Sequence, residues 1–177
     1  MEVFTGESGL KVYESPGAMP RVWSVHKATS VSSANELGPA FEDPELNLRT
    51  TALFLGETPR LISCNGGDNV VLARSEFDDV VIDASMQCRG MVILSDNYDS
   101  GWSATVDGRP ARIWDAYTVV RGVEVEAGRH HIEMHYSPWS VKLGAAGFGL
   151  SLLGLLALAY YGEPKARKLP LPGRDSF

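Results

Sequence analysis

The sequence carries only two cysteines, Cys64 and Cys88, in 177 residues. That excludes the disulfide framework of small secreted domains, and a lone pair is too sparse for a zinc site by itself. The opening stretch MEVFTGESGLKVYESPG holds no apolar run and does not read as a signal peptide. Positive charge is scarce in the body of the chain. Residues 1–142 contain 12 Lys/Arg against 20 Asp/Glu, a net of −8, which argues against nucleic acid as a partner. A Ser-His-Asp set, a P-loop and a dinucleotide fingerprint are all missing, and so are internal repeats and low-complexity stretches.

Charge disappears altogether over residues 143–162, LGAAGFGLSLLGLLALAYYG, twenty positions long. At about 1.5 Å per residue such a helix reaches roughly 30 Å, about the hydrocarbon thickness of a bilayer. The other reading is a buried core helix. Gly144, Gly147, Gly149 and Gly154 speak against it, since glycine forms helices poorly in water yet is common in lipid. Ala145 with Gly149 and Gly147 with Ser151 are small-xxx-small pairs, suited to close packing on other membrane helices. Tyr160, Tyr161 and Trp139 fit interfacial aromatic belts, and Lys142 can snorkel. Residues 163–177 carry Lys165, Arg167, Lys168 and Arg174 against two acids. The positive-inside rule then predicts a cytoplasmic tail and an acidic domain outside. An outer domain without its own export signal implies preceding membrane segments in a longer parent chain. The alternative is tail-anchored insertion, with the large domain left in the cytosol.

If the domain is outside, a Cys64–Cys88 bridge closing a loop of about 25 residues would contribute roughly 3 kcal/mol. Two small buried thiols are the other possibility.

Strand candidates are Val22–Val25, Thr29–Val31, Thr51–Leu55, Val70–Ala73, Val80–Ala84, Met91–Leu94 and Trp102–Val106. Ser33 to Asp43 reads as one soluble helix, with an S-x-x-E capping box at Ser33 and Glu36 and a buried face at Leu37 and Phe41. Cys64–Asn69 is a loop by composition. Asp107-Gly108 predicts a tight turn into a strand over Arg109–Trp114, which Pro110 places at a sheet edge. Val119, Arg121, Val123 and Val125 share one face of the next strand. Ile132, Met134 and Tyr136 point to the core from His130–Tyr136. The fold class is mainly β: a β-sandwich-like domain with one short helix over 1–140, a transmembrane helix over 141–162 and a basic tail over 163–177.

The run from LSDNYDSGWSATVDG through AGRHHIEMHY and PWSVKLG resembles the C-terminal end of YfhO-type bacterial multispan membrane proteins, with its LSDxYxxGWxAxVDG, AGxHxIxxxY and P-W/R-S-x-x-x-G motifs. Upstream, KVYESPGAMPRVWSVHKA resembles the same proteins' VYENPxAxPRxWxVHxA segment. The resemblance implies an extracytoplasmic β-domain before the last helix of a GT-C-like protein of the bacterial cell membrane. Such proteins are associated with sugar transfer from polyprenyl-phosphate donors to envelope polymers. The many earlier membrane helices of the family are missing here, so this chain is expected to be a C-terminal piece. GT-C enzymes carry their catalytic carboxylate in an early loop, so no catalytic residue is assigned, and no cofactor is expected.

Three constellations remain as candidates. Asp96, Asn97, Tyr98, Asp99 and Trp102 cluster in a loop, where polar groups beside aromatic rings suit a sugar. Trp114 and Tyr117 can extend that stacking surface or serve as packing. Asp96→Ala is expected to weaken glycan binding without unfolding the domain. His131, Glu133 and His135 alternate on one strand face, a weak zinc candidate against the plainer reading of a solvated face. Arg21 and His26 can contact a phosphate, or Arg21 can pair with an acid. The expected role is an accessory, non-catalytic region that positions an envelope glycan or braces the helix bundle. The alternative is a stand-alone, single-pass envelope binding protein. The expected partners are the bilayer, upstream helices and an envelope glycan.

Overall fold

The computed structural model describes residues 2–64 and 67–161. The basic tail and Gly162, the end of the expected span, lie outside the described residues. In chain order the elements are β1 (Glu2–Thr5), β2 (Lys11–Tyr13), β3 (Val22–Val25), β4 (Lys27–Val31), a 3-10 turn (Ala34–Glu36) running into α1 (Leu37–Glu42), β5 (Thr51–Leu55), β6 (Asn69–Ser75), β7 (Asp79–Met86), β8 (Gly90–Asn97), β9 (Trp102–Val106), β10 (Arg109–Ala111), β11 (Ile113–Ala116), β12 (Val120–Val125), β13 (Gly128–Tyr136) and α2 (Trp139–Tyr161). One compact unit ends at Ser137 and a second begins at Pro138.

The first unit is the expected sandwich. A five-stranded sheet runs β10-β9-β13-β7-β6 and a four-stranded sheet runs β11-β12-β8-β3. Both are open sheets, so the fold is not a barrel. Side chains two apart line the shared core: Val80, Ile82, Ala84 and Met86 of β7 and Ile132 and Met134 of β13 meet Val92 and Leu94 of β8 and Val123 and Val125 of β12. Behind the four-stranded sheet lies a second core. Met91 and Ile93 of β8 pack there with Val25, Trp114, Ala116 and the β5 residues Ala52, Leu53 and Phe54. Both faces of β8 are therefore covered, which is why 91–94 reads MVIL without alternation. β5 pairs in parallel with β4. Parallel neighbours need a crossover, and the segment holding α1 supplies it.

Several local expectations shift. Leu37 and Ala40, not Phe41, pack on the second core, and Phe41 is 38% exposed. Positions three and four apart share one face of an α-helix, and here it is the three-residue partner that meets the core. The capping box is half made: the Glu36 carboxylate accepts from the Ser32 amide and the Ser33 hydroxyl, while Ser33 caps no helix amide. The strand expected over Arg109–Trp114 is two strands. The break at Arg112 lets the chain pass from the edge of one sheet to the edge of the other. Pro110 sits on the edge strand β10, as its missing donor requires. Asp107 and Gly108 turn the β9–β10 hairpin with φ of 53° and 75°, the left-handed pair of a two-residue turn. Val119 stands in the turn before β12 and is exposed, because Tyr117 and Thr118 take positive φ there. The β1–β2 hairpin was not foreseen; its Val3, Phe4, Val12 and Tyr13 are exposed, so no buried face marks it.

Gly90 is a close-approach position. A Cβ there would lie 2.7 Å from two atoms of the His26 ring and 2.8 Å from the Met86 terminal carbon. Gly90→Ala is expected to cost about 1–3 kcal/mol by overpacking, read as a lowered urea midpoint at unchanged slope.

The second unit contains α2. Its 23 residues are long and apolar enough to cross a membrane, and its side chains are exposed within this chain. The Ser151 hydroxyl bonds back to the Gly147 carbonyl at 2.9 Å, satisfying a polar group inside the apolar segment.

Candidate functional site

The loop candidate is built by a bulge. β12 and β8 pair regularly from Val125 to Arg121, then the partner jumps from Leu94 to Asn97. Ser95 and Asp96 are thereby pushed out of the ladder, and bulges of this kind re-aim side chains. Asp96 ends up between two arginines. Its Oδ1 lies 2.7 Å from Arg21 and its Oδ2 3.0 Å from Arg121. Arg121 is only 3% exposed. Its guanidinium lies 3.7 Å over the Trp102 ring, and Trp102 in turn packs on Tyr136 at 5.2 Å between centroids. Burial pushes the Arg121 value down, and Asp96 opposes that shift.

The loop residues are therefore not equivalent. Asp96 and Trp102 are engaged within the fold. Asn97 and Tyr98 are exposed, Tyr98 at 41%. Asp99 turns the loop by accepting from the Gly101 amide at 2.7 Å. Trp114 and Tyr117 are buried in the second core rather than added to the loop surface. The Tyr117 hydroxyl donates to the Leu48 carbonyl at 2.7 Å.

Burial pushes the Tyr117 phenol from its ordinary 10.0 up to about 12. A raised folded value contributes stability that is fully present below pH 10.0 and fades as pH rises toward about 12. Urea melts across that window should show the loss, and Tyr117→Phe should lack that component of the slope.

Arg21 and His26, the phosphate candidates, have different partners. Arg21 pairs with Asp96 and stays exposed, whereas His26 is half-buried, 2.5 Å from the Asp68 carboxylate. Asp68 also accepts from the Ser24 hydroxyl at 2.7 Å and the Gln87 amide at 2.8 Å. The Ser24 hydroxyl thus bonds the carboxylate rather than the imidazole. Burial raises the Asp68 carboxyl, but the bonds from Ser24, Gln87 and His26 outweigh it and hold it below its ordinary value. Against His26 lies a Cys64–Cys88 disulfide. Of the two possibilities left open for these cysteines, the bridge is the one formed. A cleft of about 680 Å³, lined in part by Ser24, His26, Cys64 and Asp68, opens beside it.

His131, Glu133 and His135 are exposed on β13. His131 Nδ1 bonds Asp83 at 2.7 Å, and its Nε2 lies 3.9 Å from Glu133. The neighbouring His130 bonds Asp107 at 2.7 Å, while Asp107 also takes the His131 amide at 2.9 Å. Those bonds, the amide first, hold the Asp107 carboxyl low. The aspartate of the VDG turn and the histidine of the AGxH segment, where the chain crosses from β12 in one sheet to β13 in the other rather than forming a hairpin, are thus a structural pair.

Sequence reasoning missed Arg121 as the hub of the loop. The signal was present: an arginine on the apolar face that includes Val123 and Val125 demands a partner. It also missed Asp68, which no spacing links to His26 across 42 residues.

Residues 79–146 match the family model of the bacterial membrane protein YfhO. Over that stretch the chain is similar to this bacterial membrane protein family. The match begins at β7, includes the bulge, both hairpins and β13, and continues through Ser137 into α2. No curated protein and no solved structure matches the chain. The YfhO region therefore holds Asp96, Arg121 and Trp102 together with the first turns of the candidate span.

Proposed function

We propose that this chain is the C-terminal, non-catalytic region of a YfhO-like integral membrane protein, with residues 1–140 outside the cytoplasm, a span over 141–162 and a cytoplasmic tail over 163–177. Its role is to brace the membrane helices and present a loop to an envelope glycan during polyprenyl-phosphate-dependent glycosylation. The observation that carries this reading is the single family match running from the sandwich into the apolar helix. The Cys64–Cys88 bridge supports an outer location, because such bonds persist in oxidising compartments. The arginine-flanked bulge supports a bracing role: Arg21 of the PRxW segment, Asp96 of the LSD motif and Arg121 lock three strands' ends together. Exposed Asn97 and Tyr98, beside the partly exposed Arg21, are the groups left to meet sugar hydroxyls and C–H faces.

Topology is tested with single cysteines placed at Gly108 and Ser176, in a background lacking the native pair. An impermeant reagent on intact cells should label the first and spare the second. Labelling at Ser176 would sink the orientation. For the glycan, NMR titration of the full chain in micelles with millimolar envelope saccharides should shift Asn97 and Tyr98. No shift there would leave the region a brace alone.

A further inference from the structure

The three groups His26, Cys64 and Cys88 bring one imidazole nitrogen and two sulfurs within 4.8 Å of one another. His26 Nδ1 lies 3.3 Å from Cys88 Sγ and 3.7 Å from Cys64 Sγ. Zinc bonds of about 2.3 Å to sulfur and about 2.05 Å to nitrogen, at a tetrahedral angle, place those atoms about 3.6 Å apart. The imidazole already stands at that separation from both sulfurs. Its other nitrogen is tied to Asp68, whose side chain is only 4% exposed. An ionised carboxylate only accepts, so Nε2 donates to Asp68, while Nδ1 faces the sulfurs and lies 3.4 Å from the Arg89 carbonyl oxygen, which a bound cation would replace as its partner. A carboxylate on the far nitrogen is the usual companion of a metal-bound histidine. The cleft beside Cys64 and His26 leaves room for a fourth ligand.

We propose that reducing the Cys64–Cys88 bridge creates a site for a thiophilic divalent cation, zinc in type, held by Cys64, Cys88 and His26 and oriented by Asp68. In the oxidised state both sulfurs are bonded to each other and offer no thiolate. A dithiol reductant gives the bridge two electrons and two protons and leaves as its own disulfide. The two resulting thiols release their protons as the cation binds. Two thiolates on one tetrahedral zinc stand about 3.8 Å apart, and cleavage of the bond frees them to separate. The site thus answers to redox state. It stands independently of any glycan role.

The test uses the full chain in micelles, reduced with a dithiol, freed of it under inert gas and titrated with Co²⁺ alone. A thiolate-to-cobalt charge-transfer band saturating at one ion per chain is expected, with none in the oxidised protein. His26→Ala should weaken Co²⁺ binding at least tenfold, and Asp68→Asn by about 10–100-fold. Absence of the band in the reduced protein overturns the proposal, even where reduction has unfolded the domain. Undiminished affinity in folded His26→Ala overturns it too. Should that variant fail to fold, zinc-edge X-ray absorption of the reduced, unsubstituted protein decides. Two sulfurs with at least one nitrogen support the site, and any other set overturns it.

Discussion

Trp114→Ala should destabilise the β unit by about 4 kcal/mol, the usual cost of deleting a buried large aromatic. Trp114 is 6% exposed and meets Phe54 edge-on at 5.8 Å between ring centroids. Arg112 lies 3.7 Å over its ring on the outer side. The indole therefore joins β11 to β5 across the second core, and the cavity it leaves has β-sheet on two sides that cannot easily collapse. Urea melts of the full chain in micelles give the measurement. A loss under about 1 kcal/mol would mean that the ring is a surface platform, and saccharide binding rather than stability would then be the property to fall.

Asp96→Ala should cost about 2–3 kcal/mol, because removing the partly buried partner strands the buried Arg121 charge. Arg121 would be left 3% exposed beside Trp102, with its Nε already lacking a hydrogen-bond partner among the described residues. The expectation that this substitution probes glycan binding cleanly is therefore revised. Tyr98→Ala is the better probe, since Tyr98 is exposed and its side chain braces no core. Pairing Asp96→Ala with Arg121→Met should recover most of the loss, as apolar replacements of buried ion pairs commonly do. If the double variant is as unstable as Asp96→Ala alone, the stranded charge is not the cause. The bulge itself would then depend on the Asp96 carboxylate.

Much of the architecture was legible because it follows from local periodicity. β3, β5 and β9 match the expected segments residue for residue, since each alternates or runs apolar between polar turns. Asp107-Gly108 named its own turn through the positive φ it tolerates, and Pro110 named its edge. The uncharged helix needed only length and composition. The motifs from Leu94 to Gly144 carried the resemblance to the YfhO family model that matches residues 79–146. Tertiary structure alone decided what depends on partners distant in sequence. The parallel β4–β5 pair and the second core arise from contacts that no local pattern records. So does the burial of Trp114 and Tyr117, because an aromatic residue reads the same on a surface as beneath a crossover. The bulge that turns Asp96 toward Arg21 and Arg121 is a register event between strands, invisible in either strand alone. The His26–Asp68 pair and its disulfide unite residues 26, 64, 68 and 88 because β3 pairs with β8, and the loops before β6 and β8 meet beside it. Side-chain chemistry was written in the sequence; which groups would meet was set by the pairing of the sheets.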